Sequence, residues 1–252
     1  EGKIQRAIQR RQSAISIQIW KEYTDQREIP IINPSGVRVG PVPEILGPHR
    51  FRIGQTEILL YYGEPSPYSI SQEIYIDLLP VESYLTEGIW RIVLSAGKIV
   101  TGQYEMWLPS DNVLNRGTGF LFPTDATTLT IPSSASRAIS VGAYDARTFA
   151  YADFSGRGFT RLTNMVKPDL VAPGVEVMTT TVGGGYAAFT GTSFATPFVT
   201  GSAALLMEWG IVRGNDPYLY GEKVKAYLRR GAKKYRDLTS IRMRKWGMGR
   251  TL

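Results

Sequence analysis

The residues of this chain best suited to chemistry lie between Gly191 and Val199, Gly-Thr-Ser-Phe-Ala-Thr-Pro-Phe-Val. A serine hydroxyl attacks a carbonyl only when a base takes its proton and hydrogen-bond donors receive the oxyanion. A helix start supplies free backbone N–H groups and the positive end of a dipole. The spacing puts Ser193 at such a start, and Ala195, Gly201, Ala203 and Ala204 let the following helix thread a crowded interior. The pattern predicts Ser193 as an acyl-transfer nucleophile whose own backbone N–H helps bind the oxyanion.

The segments that must position this serine are ordered along the chain. Ala138–Tyr144 reads as a buried strand, and Asp153-Phe-Ser-Gly-Arg-Gly158 as a turn. Met165-Val-Lys-Pro-Asp-Leu-Val-Ala-Pro-Gly174 follows, then a Gly183–Gly185 turn and Tyr186-Ala-Ala-Phe-Thr-Gly-Thr-Ser193. Over residues 129–209 this order resembles the C-terminal half of a subtilisin-like serine protease. The later Trp209-Gly-Ile-Val and Asn215-Asp-Pro-Tyr-Leu-Tyr-Gly221 look like the clostridial Csp-type branch, linked as a group to spore germination. That branch carries a jelly-roll domain inserted within its protease domain. The resemblance implies an α/β fold with an all-β insert: a jelly-roll β-sandwich over 1–130, then the C-terminal part of a subtilisin-like domain over 131–252. It also implies an endopeptidase acting on a protein or peptide substrate, without a cofactor, in an exported or spore-associated setting. By the same resemblance Phe189, Thr190 and Gly191 border the substrate cleft, and Thr192 supports the oxyanion.

Such an enzyme needs Asp, His and Ser in that order, with histidine as general base. The chain holds one histidine, His49, in Gly-Pro-His-Arg-Phe, without the His-Gly-Thr-His setting of the family. It reads as a turn or strand-edge residue. Asp25 lies in Thr-Asp-Gln rather than Asp-Ser/Thr-Gly, and Asn112 and Asn115 lack the Ala-Gly-Asn context of the side-chain oxyanion donor. Three explanations stand. The parent carries Asp, His and Asn in an N-terminal half; that half is a separate chain that assembles with this one; or the parent is a non-catalytic pseudoprotease that binds a partner or ligand. In each, this chain alone is expected to be inactive, and under the first two the N-terminal half is its partner. Cutting a parallel sheet is expected to leave an open edge and exposed apolar surface, hence instability or self-association.

Residues 14–131 read as β-structure. Ile15, Ile17 and Ile19 alternate with polar residues, as do Ile74, Ile76 and Leu78. Further strands are expected at Ile29–Asn33, Arg38–Val42, Phe51–Ile53, Glu57–Tyr62, Gly88–Ser95, Ile99–Leu108 and Thr127–Ile131, separated by Gly/Pro turns. Trp107, Tyr61, Tyr62 and Tyr104 could stack on sugar, but aromatics in strands more often pack in cores or cross-strand pairs. A long apolar helix is expected over Ser193–Trp209, with Pro197 near its first turn and Gly210 as a left-handed cap. A second helix, Tyr220–Gly231, would turn Val224, Tyr227 and Leu228 inward.

The 252 residues suffice to bury a core, and the absence of cysteine excludes disulfides and thiolate zinc sites. No acidic cluster has calcium-loop spacing, so no metal is expected. No uninterrupted run of about 18 apolar residues occurs, so no membrane span is expected. Net charge is +7, with basic clusters at Arg10-Arg11, Arg229-Arg230, Lys233-Lys234 and Arg242–Lys245. They are scattered and accompany no nucleic-acid motif, so they read as solvated faces rather than a nucleic-acid surface. Glu1–Gln12 is polar and basic and lacks a signal core, so the start is expected to be internal to a longer protein.

Overall fold

The computed structural model describes residues 2–8, 12–110, 113–124, 127–161 and 163–233, the first of these stretches as backbone alone. Asn112 and the basic pairs at Arg10-Arg11 and Arg242–Lys245, with Lys234, lie outside the described residues. The chain divides into two compact units, Glu1–Pro123 and Thr124–Leu252.

The first unit is built from strands β1 (Gly2–Ile8), β2 (Ile15–Glu22), β3 (Arg27–Ile32), β4 (Arg38–Val42), β5 (Gly47–Ile53), β6 (Thr56–Tyr62), β7 (Ser71–Pro80), β8 (Gly88–Ala96), β9 (Tyr104–Trp107) and β10 (Gly119–Phe120). They form two antiparallel sheets, ordered β10-β1-β8-β3-β4 and β5-β6-β7-β2-β9. The period-two alternation explains the core: Ile17, Ile19, Ile58, Ile74 and Ile76 point inward from one sheet, Ile29, Ile31 and Ile92 from the other, and all are fully or almost fully buried in one cluster. Each such side chain contributes about 1.5–3 kcal/mol on burial, which makes this shared core the main stabilising term.

Two elements differ from expectation. Strand structure begins before residue 14, its expected start: Gly2–Ile8 pairs along its whole length with β8 and at its end with β10. Of the strand expected over 99–108, only Tyr104–Trp107 forms. The backbone N–H groups of Val100, Thr101 and Gly102 instead converge on the buried Asp25 carboxylate at 2.6, 2.9 and 2.7 Å, joined by the Thr101 hydroxyl at 3.1 Å. Burial would raise that carboxyl, but the four donors outweigh it and hold the group at about 2. Lys21, fully buried, donates to the Asp25 carbonyl at 2.5 Å and pairs with Glu44 at 3.0 Å, fixing the other side of the same turn.

The second unit mixes strands with two α-helices. Its strands are β11 (Val141–Tyr144), β12 (Gly158–Phe159), β13 (Val166–Lys167), β14 (Leu170–Pro173), β15 (Val177–Thr180) and β16 (Tyr186–Phe189). Helix α1 (Thr192–Met207) runs into a π turn (Glu208–Val212), and α2 (Glu222–Gly231) follows. β11 and β14 pair in parallel, while β12–β13 and β15–β16 are antiparallel pairs. Gly183–Gly185, all at positive φ, close the β15–β16 hairpin. Thr127–Ile131 forms no strand, only the single bridge from Thr127 to Gly158.

The helices depart from the sequence reading in instructive ways. Pro197 lies in the second turn of α1, not the first, so the Ser193 carbonyl lacks its usual i+4 donor. Gly210 is no left-handed cap. It is buried inside the π turn, where a Cβ would fall 2.7 Å from Leu219 Cδ2 and 3.0 Å from the Asp216 carbonyl. On α2, Val224 and Leu228 turn inward as expected, but Tyr227 is exposed and Lys225 takes the third inward place.

Helix α1 is apolar without a polar face. Ala195 and Val199 pack against Ala143, Leu170 and Ala172, yet Leu205 is 68% exposed and Phe198, Met207, Trp209, Ile211 and Val212 are also exposed. Among the described residues Thr192–Val212 is long and apolar enough by composition to cross a membrane, as the core helix of a globular protein also can be. Thr, Ser and Gly interrupt the apolar residues of this helix, so it contains no unbroken apolar run of about 18 residues.

Candidate active site

Ser193 occupies the first turn of α1, one residue after Thr192. It is exposed, and its hydroxyl has no hydrogen-bond partner among the described residues. Gly191 precedes the helix as N-cap without a side chain to satisfy the first amides, so the N–H groups of Thr192 and Ser193 are left for a ligand. Gly191 sits at φ 156 and ψ 159, a backbone that side-chain-bearing residues rarely adopt.

The seat is built by backbone ties. The Gly191 N–H donates to the Gly174 carbonyl at 2.8 Å, so the end of β14 fixes the start of α1. At Gly174 a Cβ would lie 2.6 Å from Ala143 Cβ and 3.0 Å from the Gly191 carbonyl oxygen, which only glycine avoids. Thr190 lends its hydroxyl to the Glu176 N–H at 3.0 Å, tying β16 to the turn before β15. The Phe189 and Phe194 rings stack at 5.2 Å on either side of the Gly-Thr-Ser segment in sequence. The structure thus brings Phe189, Thr190, Gly191, Thr192 and Ser193 into one continuous hairpin-to-helix corner.

The strands beneath are locked by buried polar groups. Asp169 accepts from the Ser140 N–H at 2.9 Å and its hydroxyl at 3.1 Å, and from Lys167 at 2.7 Å on the same oxygen. Its other oxygen pairs with Lys225 of α2 at 3.0 Å. Lys225 also donates to the carbonyls of Ser136 and Ala138 at 2.9 and 3.0 Å. Burial pushes the Lys167 ammonium down, and the neighbouring Lys225 adds to that, against the attraction of Asp169. The Phe-Ser-Gly turn is explained as well: the Ser155 hydroxyl accepts the Ala143 N–H of β11 at 3.0 Å and donates to Tyr151 at 2.9 Å. Sequence reasoning gave Gly174 and Lys225 no role. The Ala-Pro-Gly ending of a buried strand was the available signal for the first; a lysine among inward helix positions was the signal for the second.

His49 lies in β5, an edge strand of the first unit, the second of the two settings expected for it. Its Nε2 lies 2.8 Å from the Ile45 carbonyl, and its ring stacks on Phe51 and meets the edge of Tyr62. Nothing there orients it as a base. No group of three or more His, Cys, Asp or Glu positioned to hold a metal occurs among the described residues.

The sequence profile of the subtilase family matches residues 91–249. Serine protease AprX of Bacillus subtilis is 32% identical over 133 residues, covering 45% of this chain and 28% of that protein. An intracellular serine protease of Paenibacillus polymyxa is 37% identical over 98 residues, covering 37% of this chain and 28% of its own length. The solved CspB protease of Clostridium perfringens superposes with a TM-score of 0.89 at 35% identity, covering 99% of this chain and 52% of that one. The chain therefore spans about half the length of the solved protease and under a third of these two curated relatives. A serine at the start of an apolar helix, a parallel strand pair beneath it and a family profile over most of the chain agree: this chain belongs to the subtilase family.

Proposed function

We propose that this chain is the serine-bearing part of a subtilisin-like endopeptidase, completed by a part that supplies Asp, His and the oxyanion Asn. The observation that carries this reading is α1, an apolar helix that seats an unpartnered serine while most of its own surface is uncovered. A helix apolar on all sides belongs inside a core. A two-stranded parallel sheet is likewise a fragment of the wider, doubly covered sheets such strands normally form.

In the completed site Ser193 Oγ attacks the scissile carbonyl carbon while its proton passes to the histidine of the other part. The tetrahedral oxyanion is received by the Ser193 N–H, with Thr192 beside it and the absent Asn opposite. Collapse returns the proton to the leaving amine and leaves an acyl-Ser193 ester, which water then hydrolyses. Phe189, Thr190 and Gly191 would border the bound peptide or protein. Without a base the hydroxyl is a weak nucleophile, so the chain alone is inert.

The same reading makes the first unit an insert of jelly-roll descent. The pairings β1–β8, β8–β3 and β2–β7 join early strands to late ones, the wrapping of a jelly roll. The β3–β4 and β5–β6–β7 hairpins depart from it.

Fluorophosphonate labelling tests the proposal, on this chain alone and co-folded with the remaining part of its parent, with Ser193→Ala as control. Labelling only in the assembly, lost in Ser193→Ala, is the expected result. No labelling in a folded assembly would replace it with a non-catalytic scaffold that binds a partner.

A further inference from the structure

The outer face of the β5-β6-β7-β2-β9 sheet carries a line of rings that the protease reading leaves unused. Antiparallel register sets Tyr61 opposite Tyr75, Tyr75 opposite Gln18, and Gln18 opposite Trp107. In the next outward row Trp20 lies between Glu73 and Glu105. Alternation turns these residues away from the core, because Tyr62, Ile74, Ile76, Ile17 and Ile19 are buried and Tyr104 and Met106 pack on that core. The four aromatics weighed in the sequence are thereby split. Tyr62 is interior and donates to the Val42 carbonyl, Tyr104 sits under the Arg27 guanidinium, and Tyr61 and Trp107 share the outer face with Tyr75 and Trp20. Tyr61 is 39% exposed, Gln18 is exposed, and Trp20, Tyr75 and Trp107 are half-buried. At about 4.8 Å per strand the line from Tyr61 to Trp107 runs about 14 Å.

We propose that this face is a binding platform for an uncharged β-linked polysaccharide. Aromatic faces are apolar and electron-rich, and they match the C–H face of a pyranose ring. Between the rings stand acceptors for hydroxyl donors. Gln18 Nε2 donates to Glu73 Oε1 at 3.0 Å, which holds both side chains in one orientation and leaves the amide oxygen and the second carboxylate oxygen for ligand. Charge selects the occupant. The outward positions of β7, β2 and β9 include Glu73, Asp77, Glu22 and Glu105 and no lysine or arginine, so an anionic polymer is repelled. At the β5 edge Arg50 is paired with Glu57 and Arg52 donates to the Gly54 carbonyl, so neither offsets the acidic row. The carboxylate and amide acceptors suit a neutral chain rich in hydroxyl donors, and a lysine-rich peptide is the competing occupant that the test must exclude.

The platform stands or falls independently of the role of Ser193. The test is titration of the full 252-residue chain with soluble cello- and chito-oligosaccharides, followed by tryptophan fluorescence and calorimetry. Saturable binding is expected, weakened about tenfold by Trp107→Ala or Tyr75→Ala and less by Gln18→Ala. Tyr61→Ala, at the most exposed ring, serves if the other ring variants lose their β-sheet circular dichroism. No saturable binding to either oligosaccharide overturns the proposal. So does binding untouched by the ring substitutions, or tighter binding of a lysine-rich peptide to the same rings.

Discussion

The two units bury their apolar residues to opposite degrees. In the first, two five-stranded sheets face each other and their isoleucines meet in one closed core. In the second, two parallel strands and two helices share a smaller core, and the longer helix leaves Leu205, Trp209 and Val212 outside it. The sandwich covers its own hydrophobic pattern; the second unit leaves apolar side chains of its longer helix exposed. Under the proposed function, the apolar residues at the surface of the second unit are the face that meets the completing part.

Several substitutions would break or sharpen that contrast, and urea and thermal unfolding of the full chain would measure them. The largest effect is expected at Asp169, the one carboxylate between two buried lysines. Asp169→Asn should cost the second unit about 3–5 kcal/mol, because both ammonium groups lose their counter-charge. Lys225→Met should cost much less, since it leaves one lysine for one carboxylate. Ile76→Ala, at a fully buried site of the sandwich, should cost that unit about 2–5 kcal/mol. Equal effects of Ile76→Ala and Leu205→Ala would remove the basis of the contrast. Leu205→Ala should change the lone chain by less than about 0.5 kcal/mol, and should become destabilising only in the assembled protease.

Gly174→Ala should cost about 1–3 kcal/mol, because a methyl group there collides with Ala143 and the Gly191 carbonyl. In the assembled protease it should also slow fluorophosphonate labelling of Ser193, which Ile76→Ala should leave unchanged. Acid acts on the sandwich through Asp25, held at about 2 against an ordinary 3.8, and on the second unit through Asp169, which burial would raise but its lysines and the Ser140 N–H hold low. A depressed carboxyl stabilises the fold above its unfolded value, and that contribution is lost as pH falls from about 4 through 2. The sandwich should lose stability across that window. Asp25→Asn should abolish this part of the pH dependence and be less stable at neutral pH.

Much of this was legible in the sequence because the signals were local. Alternating isoleucines wrote β2, β7 and their inward faces, and Gly-Thr-Ser followed by small residues wrote the start of α1. What escaped depended on partners distant along the chain. The loop around Asp25 has strand-like residues, Ile99 and Val100, but the carboxylate of a residue 75 positions earlier captures its amides. Gly2–Ile8 lacks an apolar run and becomes a strand because β8 offers it a register. Lys225 turns inward against its polarity because Asp169 and two carbonyls wait there. At the candidate site, the corner from Phe189 to Ser193 is contiguous and so was readable. The Gly174 tie spans a hairpin and was not.

That tie has a consequence for how a cleft can change. The link between Gly174 and Gly191 joins two residues without side chains, through one peptide N–H and one peptide carbonyl. The serine's coordinates are therefore set by main-chain geometry, to the tolerance of a single hydrogen-bond length. The stacked rings of Phe189 and Phe194 flank this corner without entering that hydrogen bond. Under the proposed function, the hydroxyl is positioned by main chain and the substrate is met by side chains, so the two can be altered separately.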